Sequence, residues 1–169
     1  MVTLQMIQEA QESLKGIARK TPLENANRLG ENIYIKSENL QLTGAFKIRG
    51  AYNKIASLSD EQLARGIVTA SAGNHAQGVA YAARERGAKA TICMPQITPP
   101  LKVDATKAYG ADVVLYGEVF DESAARAQEL SDTEGMIYVP PFDDYEVLCG
   151  QGTIGLEILD QLPDVDAVI

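Results

Sequence analysis

Two short stretches combine residue types that can do chemistry. The first is Ser71-Ala72-Gly73-Asn74-His75. It lies between a β-rich run, Ile67 to Ala70, and the residues Ala76, Val79, Ala80 and Ala83, which fall on one helical face. A strand-to-helix loop of this kind points unpaired backbone N–H groups and the positive end of the helix dipole at the space above it, which favours a carboxylate or a phosphate. Gly73 allows tight backbone geometry and Asn74 offers an amide side chain at the helix start. The same two residues also read simply as a turn and an N-cap. The spacing is neither GxGxxG nor a Walker motif, so a nucleotide is not indicated. His75 is the only histidine, which excludes paired-histidine metal motifs; on its own it reads as a helix-start or packing residue before a catalytic base.

The second stretch runs from Ser37 to Ala51 and contains Gly44-Ala45-Phe46-Lys47. Lys47 follows a large aromatic residue at the expected start of a helix, where a cation opposes the dipole. Such a setting lowers an amine pKa, as a Schiff-base lysine requires. The alternative, one more solvated lysine, stays open on spacing alone.

These loops need elements to position them. Leu4, Ile7, Leu14, Ile17 and Ala18 predict an amphipathic helix up to Thr21-Pro22, followed by a short strand from Ile33 to Lys36 and a helix around Phe46, Ala51, Tyr52 and Ile55. Ser59-Asp60-Glu61-Gln62 has capping-box spacing before a short helix that stops at Gly66. Strands are expected at 67–70, 88–94, 112–116 and 136–139, alternating with helices that end near Gly87, run over 100–109 and run over 122–133. A helix over 145–162 and a strand over 165–169 complete the pattern. Alternating units with continuous apolar strands predict an α/β fold: a parallel sheet with helices on both faces. In such a sheet, ligands gather beyond the carboxyl ends of the strands, where the 71–75 loop lies.

Composition narrows the function classes. With 15 Lys+Arg against 23 Asp+Glu the net charge is −8, which leaves no broad basic face for nucleic acid. Cys93 and Cys149 form no CxxC pair, and the N-terminus lacks signal-peptide layout, so a cytoplasmic protein with no membrane partner and no metal is expected.

The run from Lys36 through Ala51, taken with Ser71 to Gly78, Gly110-Ala111, Pro141-Phe142-Asp143 and Gly150-Gln151-Gly152-Thr153-Ile154, resembles the threonine dehydratase (threonine ammonia-lyase) and serine racemase branch of the fold type II pyridoxal phosphate enzymes. The likeness covers nearly the whole chain and implies a tryptophan-synthase-like fold. It implies that Lys47 bonds covalently to pyridoxal 5'-phosphate, that Phe46 packs beside the cofactor, and that Asn74 hydrogen-bonds its ring hydroxyl oxygen. Ser71, Ala72, Gly73, Asn74 and His75 become the loop that receives the substrate carboxylate through backbone N–H groups. The implied reaction is β-elimination from threonine or serine, giving 2-oxobutanoate or pyruvate plus ammonia, in amino-acid metabolism such as isoleucine biosynthesis, by a homo-oligomer.

Departures from the pattern qualify this. Ala45 stands where the family commonly has serine. Ala72 stands where serine racemases carry the serine that protonates the second face, which argues for elimination over racemisation. Lys47-Ile48-Arg49 differs from the Lys-Asp-Arg of threonine and cysteine synthases. The last glycine is Gly155, whereas the family's phosphate-binding glycine loop follows the strand that matches 165–169. The resemblance therefore implies the N-terminal half of such an enzyme: residues 1–50 as the start of a large domain, 51–146 as a small α/β domain and 147–169 as a return to the large one. These 169 residues alone are expected to be inactive, so a non-catalytic folding or interaction module is the alternative for the isolated piece.

Overall fold

The computed structural model describes residues 1–169. Helix α1 spans Leu4–Ser13 and is capped by Thr3, whose hydroxyl accepts from the Met6 N–H at 3.3 Å. It stops short of the expected Thr21-Pro22 break, because the chain turns through Gly16 at φ +78°, a conformation open to glycine. Strand β1, Leu23–Asn25, then pairs antiparallel with β2, Tyr34–Lys36, in the register Leu23 to Lys36. A 3₁₀ turn, Glu38–Leu40, leads into the loop before α2, Lys47–Ala56.

Helix α3, Asp60–Ala64, opens on the expected capping box: Ser59 Oγ accepts from the Gln62 N–H at 3.3 Å, and Gln62 Oε1 accepts from the Ser59 N–H at 2.9 Å. Strand β3, Ile67–Ala70, and helix α4, Asn74–Glu85, follow. The chain continues through β4, Ala90–Met94; α5, Pro100–Lys107, with Pro100 in the first turn; β5, Asp112–Leu115; α6, Phe120–Glu134; β6, Ile137–Tyr138; and α7, Tyr145–Gln161. Asp144 caps α7 by accepting from the N–H groups of Glu146 and Val147 at 2.9 and 3.1 Å.

The main sheet has the order β5-β4-β3-β6 and is parallel throughout. Side chains alternate between its faces. Ile67, Ile92 and Met94 join the larger core with Ala51, Ile55, Val79, Ala83 and Val103 from α2, α4 and α5. Val68, Ala70 and Cys93 point the other way, against Ala127 and Leu130 of α6. The sheet is thus covered by helices on both faces, as the alternation predicted. Winding proceeds outward from β3 to β5 and then returns through α6 to place β6 on the other side of β3. That reversal puts the switch point at the carboxyl ends of β3 and β6, the place where doubly wound sheets bind ligands.

One element was not foreseen and one expectation is corrected. Strand β1 lies in a segment with no strand signal, since three residues carry too little periodicity to read. Residues 165–169 do not form the expected strand: Val168 is 66% exposed and no strand lies beside them to supply a hydrogen-bond ladder. Helix boundaries elsewhere differ by a residue or two, as terminal turns commonly do. No helix is long and apolar enough to cross a membrane.

Candidate active site

Glycines bring the helices together. A Cβ on Gly78 of α4 would lie 3.2 Å from the backbone carbonyl group of Lys47, so α4 packs in close contact with the start of α2. A Cβ on Gly150 of α7 would come within 2.6 Å of the Gly50 Cα, which makes the α2–α7 crossing equally tight. Helix α2 is consequently held on two sides, and Lys47 stands at its first position.

The Lys47 side chain is half-buried, and its Nζ donates to the Pro141 carbonyl oxygen at 2.6 Å. Its ammonium also lies 5.4 Å from the centre of the Phe46 ring. Desolvation by burial holds the Lys47 amine below its ordinary pKa, the direction that leaves more of it as the free amine a nucleophile needs to be. The acceptor at Pro141 lies beyond β6, at the winding reversal.

Beyond the neighbouring strand β3 runs the 71–75 loop. Ser71 Oγ accepts from the Gly73 N–H at 3.2 Å, which shapes the turn into α4. Ala72 and Gly73 are half-buried and Asn74 is exposed at the helix start. The N–H groups of Asn74, His75 and Ala76 fall in the first turn, where no intrahelical acceptor exists. A Cβ on Gly73 would meet nothing within 4 Å, so the space above the loop is open. Loop and amine are close enough for the Lys47 charge to act on His75. Of the residues singled out in the two stretches, Lys47 and the 71–75 loop are thus neighbours.

His75 itself turns inward. It is 3% exposed, and its Nε2 contacts the Val139 carbonyl oxygen at 3.1 Å. Burial pushes the imidazole down to about 4, against a raising effect of the Val139 bond, and the Lys47 charge lowers it further. It is neutral at physiological pH. Phe46 is 38% exposed and lines a separate cleft of about 900 Å³ with Tyr34, Ile35, Ile154 and Ile158; neither Lys47 nor the 71–75 loop borders that cleft. No cluster of His, Cys, Asp and Glu side chains gathers in a way that could hold a metal.

A buried ionic network supports the opposite side of α2, and sequence reasoning missed it. Arg49 donates to Glu38 through Nε and Nη2 at 2.9 and 2.8 Å, to Thr153 Oγ1 at 3.1 Å and to the Arg19 carbonyl at 3.1 Å. It also pairs with Glu157, whose Oε2 accepts from Lys36 Nζ at 2.6 Å. Burial alone would push the Glu38 carboxyl up, but hydrogen bonds from Arg49 and Thr21 and the Arg49 charge outweigh it and hold it low. Burial likewise works against the Arg49 charge, and its bonds to Glu38 and Glu157 overcome it. One signal was available: Glu157 is the only charged residue between Val147 and Leu159 of α7, and a charge inside an apolar run calls for a partner.

Known proteins share the sequence and fold of this chain. Over 173 residues the chain is 52% identical to an L-threonine ammonia-lyase of Thermotoga maritima, an alignment that takes in 100% of this chain and 43% of that protein. The processed form of threonine deaminase isoform 2 from Solanum lycopersicum superposes with a TM-score of 0.90 at 51% identity, covering 95% of this chain and 46% of that one. Maize serine racemase superposes with a TM-score of 0.93 at 35% identity, covering 98% and 51%. The chain thus spans about half the length of the relatives it matches. Residues 14–169 match the family described as pyridoxal-phosphate dependent enzyme, and with Lys47 beside the winding reversal this places the chain in the pyridoxal-phosphate dependent enzyme family.

Proposed function

We propose that this chain carries the lysine side of the active site of a pyridoxal-phosphate-dependent threonine/serine dehydratase. The whole protein would convert threonine to 2-oxobutanoate and ammonia, or serine to pyruvate and ammonia. One observation carries the reading: the desolvated Lys47 amine is held 2.6 Å from the Pro141 carbonyl beside the unpaired first-turn amides of α4. The same reading makes the protein a cytoplasmic homo-oligomer, with the product 2-oxobutanoate available to isoleucine biosynthesis.

The donor set fits the cofactor. Lys47 offers a primary amine, Asn74 an exposed carboxamide, and Gly73 an open approach. Lys47 would hold the cofactor covalently, with Phe46 beside it and Asn74 at its ring hydroxyl. When bound, pyridoxal phosphate supplies the electron sink for the pair left at the substrate Cα. The protein supplies the geometry. Backbone N–H groups of the 71–75 loop seat the substrate carboxylate, assisted by the α4 dipole. This seat aims the Cα–H bond at Lys47, whose Nζ takes the proton; orientation of this kind is worth several kcal/mol of barrier. Ala72 presents only a methyl group on the loop and can move no proton.

Residues 1–50 and 147–169 are proposed as parts of a large domain and 51–146 as a small one. In support, α1, α2 and α7 pack together while β3 to β6 form their own sheet. The division after residue 50 falls inside α2, which is shared between the two.

Borohydride reduction of the full-length protein with its cofactor, followed by peptide mapping, tests the assignment. Label is expected on Lys47, and label on another residue would overturn it. The match to maize serine racemase favours racemisation as a second reading. Chiral analysis of residual serine after incubation separates the two, with unchanged L-serine and accumulating pyruvate expected.

A further inference from the structure

Lys47 and His75 sit on different helices, yet both are tied to one short segment, Val139-Pro140-Pro141. We propose that His75 is a positioning residue for the Lys47 amine, acting through this segment. The inference rests on the reading of Lys47 given above.

The carbonyl of Val139 can only accept, so the His75 Nε2 that meets it at 3.1 Å carries the hydrogen. Nδ1 is then the bare nitrogen, and it is buried without a partner. A ring committed in this way does not serve as a general base, so its function lies in what it holds. Val139 is fully buried, and its N–H donates to the Val68 carbonyl of β3 at 2.9 Å. The sheet therefore fixes the amide side of Val139 and His75 fixes its carbonyl side.

The next two residues transmit that constraint. Proline locks φ near −65° at both 140 and 141 and confines the residue before each to extended conformations. Few soft torsions remain between the carbonyl that His75 holds and the Pro141 carbonyl that accepts from Lys47 at 2.6 Å. The backbone of His75, meanwhile, belongs to the loop that offers first-turn amides to an anion. One side chain thus couples two distances: it ties the carboxylate seat, through its own backbone, to the acceptor that places the amine. Without the ring bond the Pro141 carbonyl is free to turn away, and the amine loses its fixed place relative to the loop.

The test uses pyridoxal, which lacks the phosphate group, so that phosphate binding has no influence on the result. Full-length protein stripped of cofactor is mixed with pyridoxal. The Lys47 amine adds to the aldehyde with loss of water, and borohydride delivers hydride to the C=N bond, leaving a stable secondary amine. The rate of labelling of the Lys47 peptide is measured in the parent and in His75→Gln, His75→Asn and His75→Leu, with the melting temperature of each.

Gln reaches as far as Nε2 and keeps a donor for Val139, whereas Asn is too short and Leu has none. His75→Gln is expected to label within about twofold of the parent. His75→Asn and His75→Leu are expected to label about five- to tenfold more slowly, the scale of one net hydrogen bond. A purely structural role would lower the melting temperature while the folded variants label at the parent rate; that result, or His75→Gln labelling as slowly as His75→Leu, overturns the inference. Should His75→Leu fail to fold, the Gln and Asn variants decide by the same criterion. Label on a residue other than Lys47 in the parent would instead refute the reading of Lys47 itself.

Discussion

Arg49 and Glu157 meet as a bidentate pair, with Nη1 to Oε1 at 2.8 Å and Nη2 to Oε2 at 3.0 Å, and the arginine side chain is 1% exposed. The pair joins α2 to α7, two residues after Lys47. With Lys36 and Glu38 it makes a group of two positive and two negative charges. Planar guanidinium geometry suits such a site, where a lysine, with fewer donors, would leave acceptors unmatched.

Removing one member of the network should cost far more than removing a surface ion pair. Glu157→Ala leaves Arg49 and Lys36 short of a buried counter-charge, and a loss of about 3–5 kcal/mol is expected from urea unfolding of the full-length protein. A loss below about 1 kcal/mol, the scale of an exposed pair, would show that the network does not hold α7 to α2.

Two glycines of α7 should respond in opposite directions. Gly150→Ala places a methyl 2.5 Å from the Arg49 carbonyl oxygen and 2.6 Å from the Gly50 Cα, and backbone atoms cannot turn aside. The helices must separate, at a cost of about 1–3 kcal/mol, and the position of Lys47 shifts with α2. Gly155 is exposed and an added Cβ there meets nothing within 4 Å, so Gly155→Ala should stabilise by up to about 1 kcal/mol. Melting temperatures of the two variants, compared with the parent, check the contrast.

His75 gives stability a pH dependence of defined sign. Its folded pKa of about 4 lies below the ordinary histidine value of 6.5, so between these values the unfolded chain binds more protons than the folded one. The contribution is complete above pH 6.5 and is lost as pH falls toward 4. It amounts to roughly 3 kcal/mol at full extent. The unfolding free energy of the parent should fall relative to that of His75→Gln, which does not titrate, as pH is lowered from 7 to 4. Parallel curves would show that His75 titrates normally in the folded protein.

On the proposed dehydratase reading, Ala72 decides which reaction follows proton removal. Placing a hydroxyl at this loop position with Ala72→Ser should let the full-length enzyme return a proton to the second face. D-serine is then expected from L-serine by chiral chromatography, alongside pyruvate. Absence of D-serine in the variant would remove Ala72 as the residue that sets the outcome.

Much of the architecture was legible beforehand because its signals are local. The Ser59–Gln62 capping box, Pro100 in the first turn of α5 and the apolar runs of β3 and β4 act over a few residues, and each appears where the pattern placed it. The 71–75 loop was legible as a strand-to-helix turn for the same reason, since a strand running directly into a helix exposes first-turn amides whatever the rest of the chain does.

What local pattern could not supply were partners far away in the chain. Lys47 and its acceptor Pro141 are 94 residues apart, and Arg49 and Glu157 are 108 apart. Residue types and local order thus came from the sequence itself: the α/β alternation, the loop from β3 into α4 and a lysine at a helix start. The tertiary structure alone decided that this lysine is desolvated, which carbonyl it meets and which charges brace its helix. The physical reason is that burial and long-range hydrogen bonds exist only after helices close on one another, here through glycines whose missing side chains set how near α2, α4 and α7 can come.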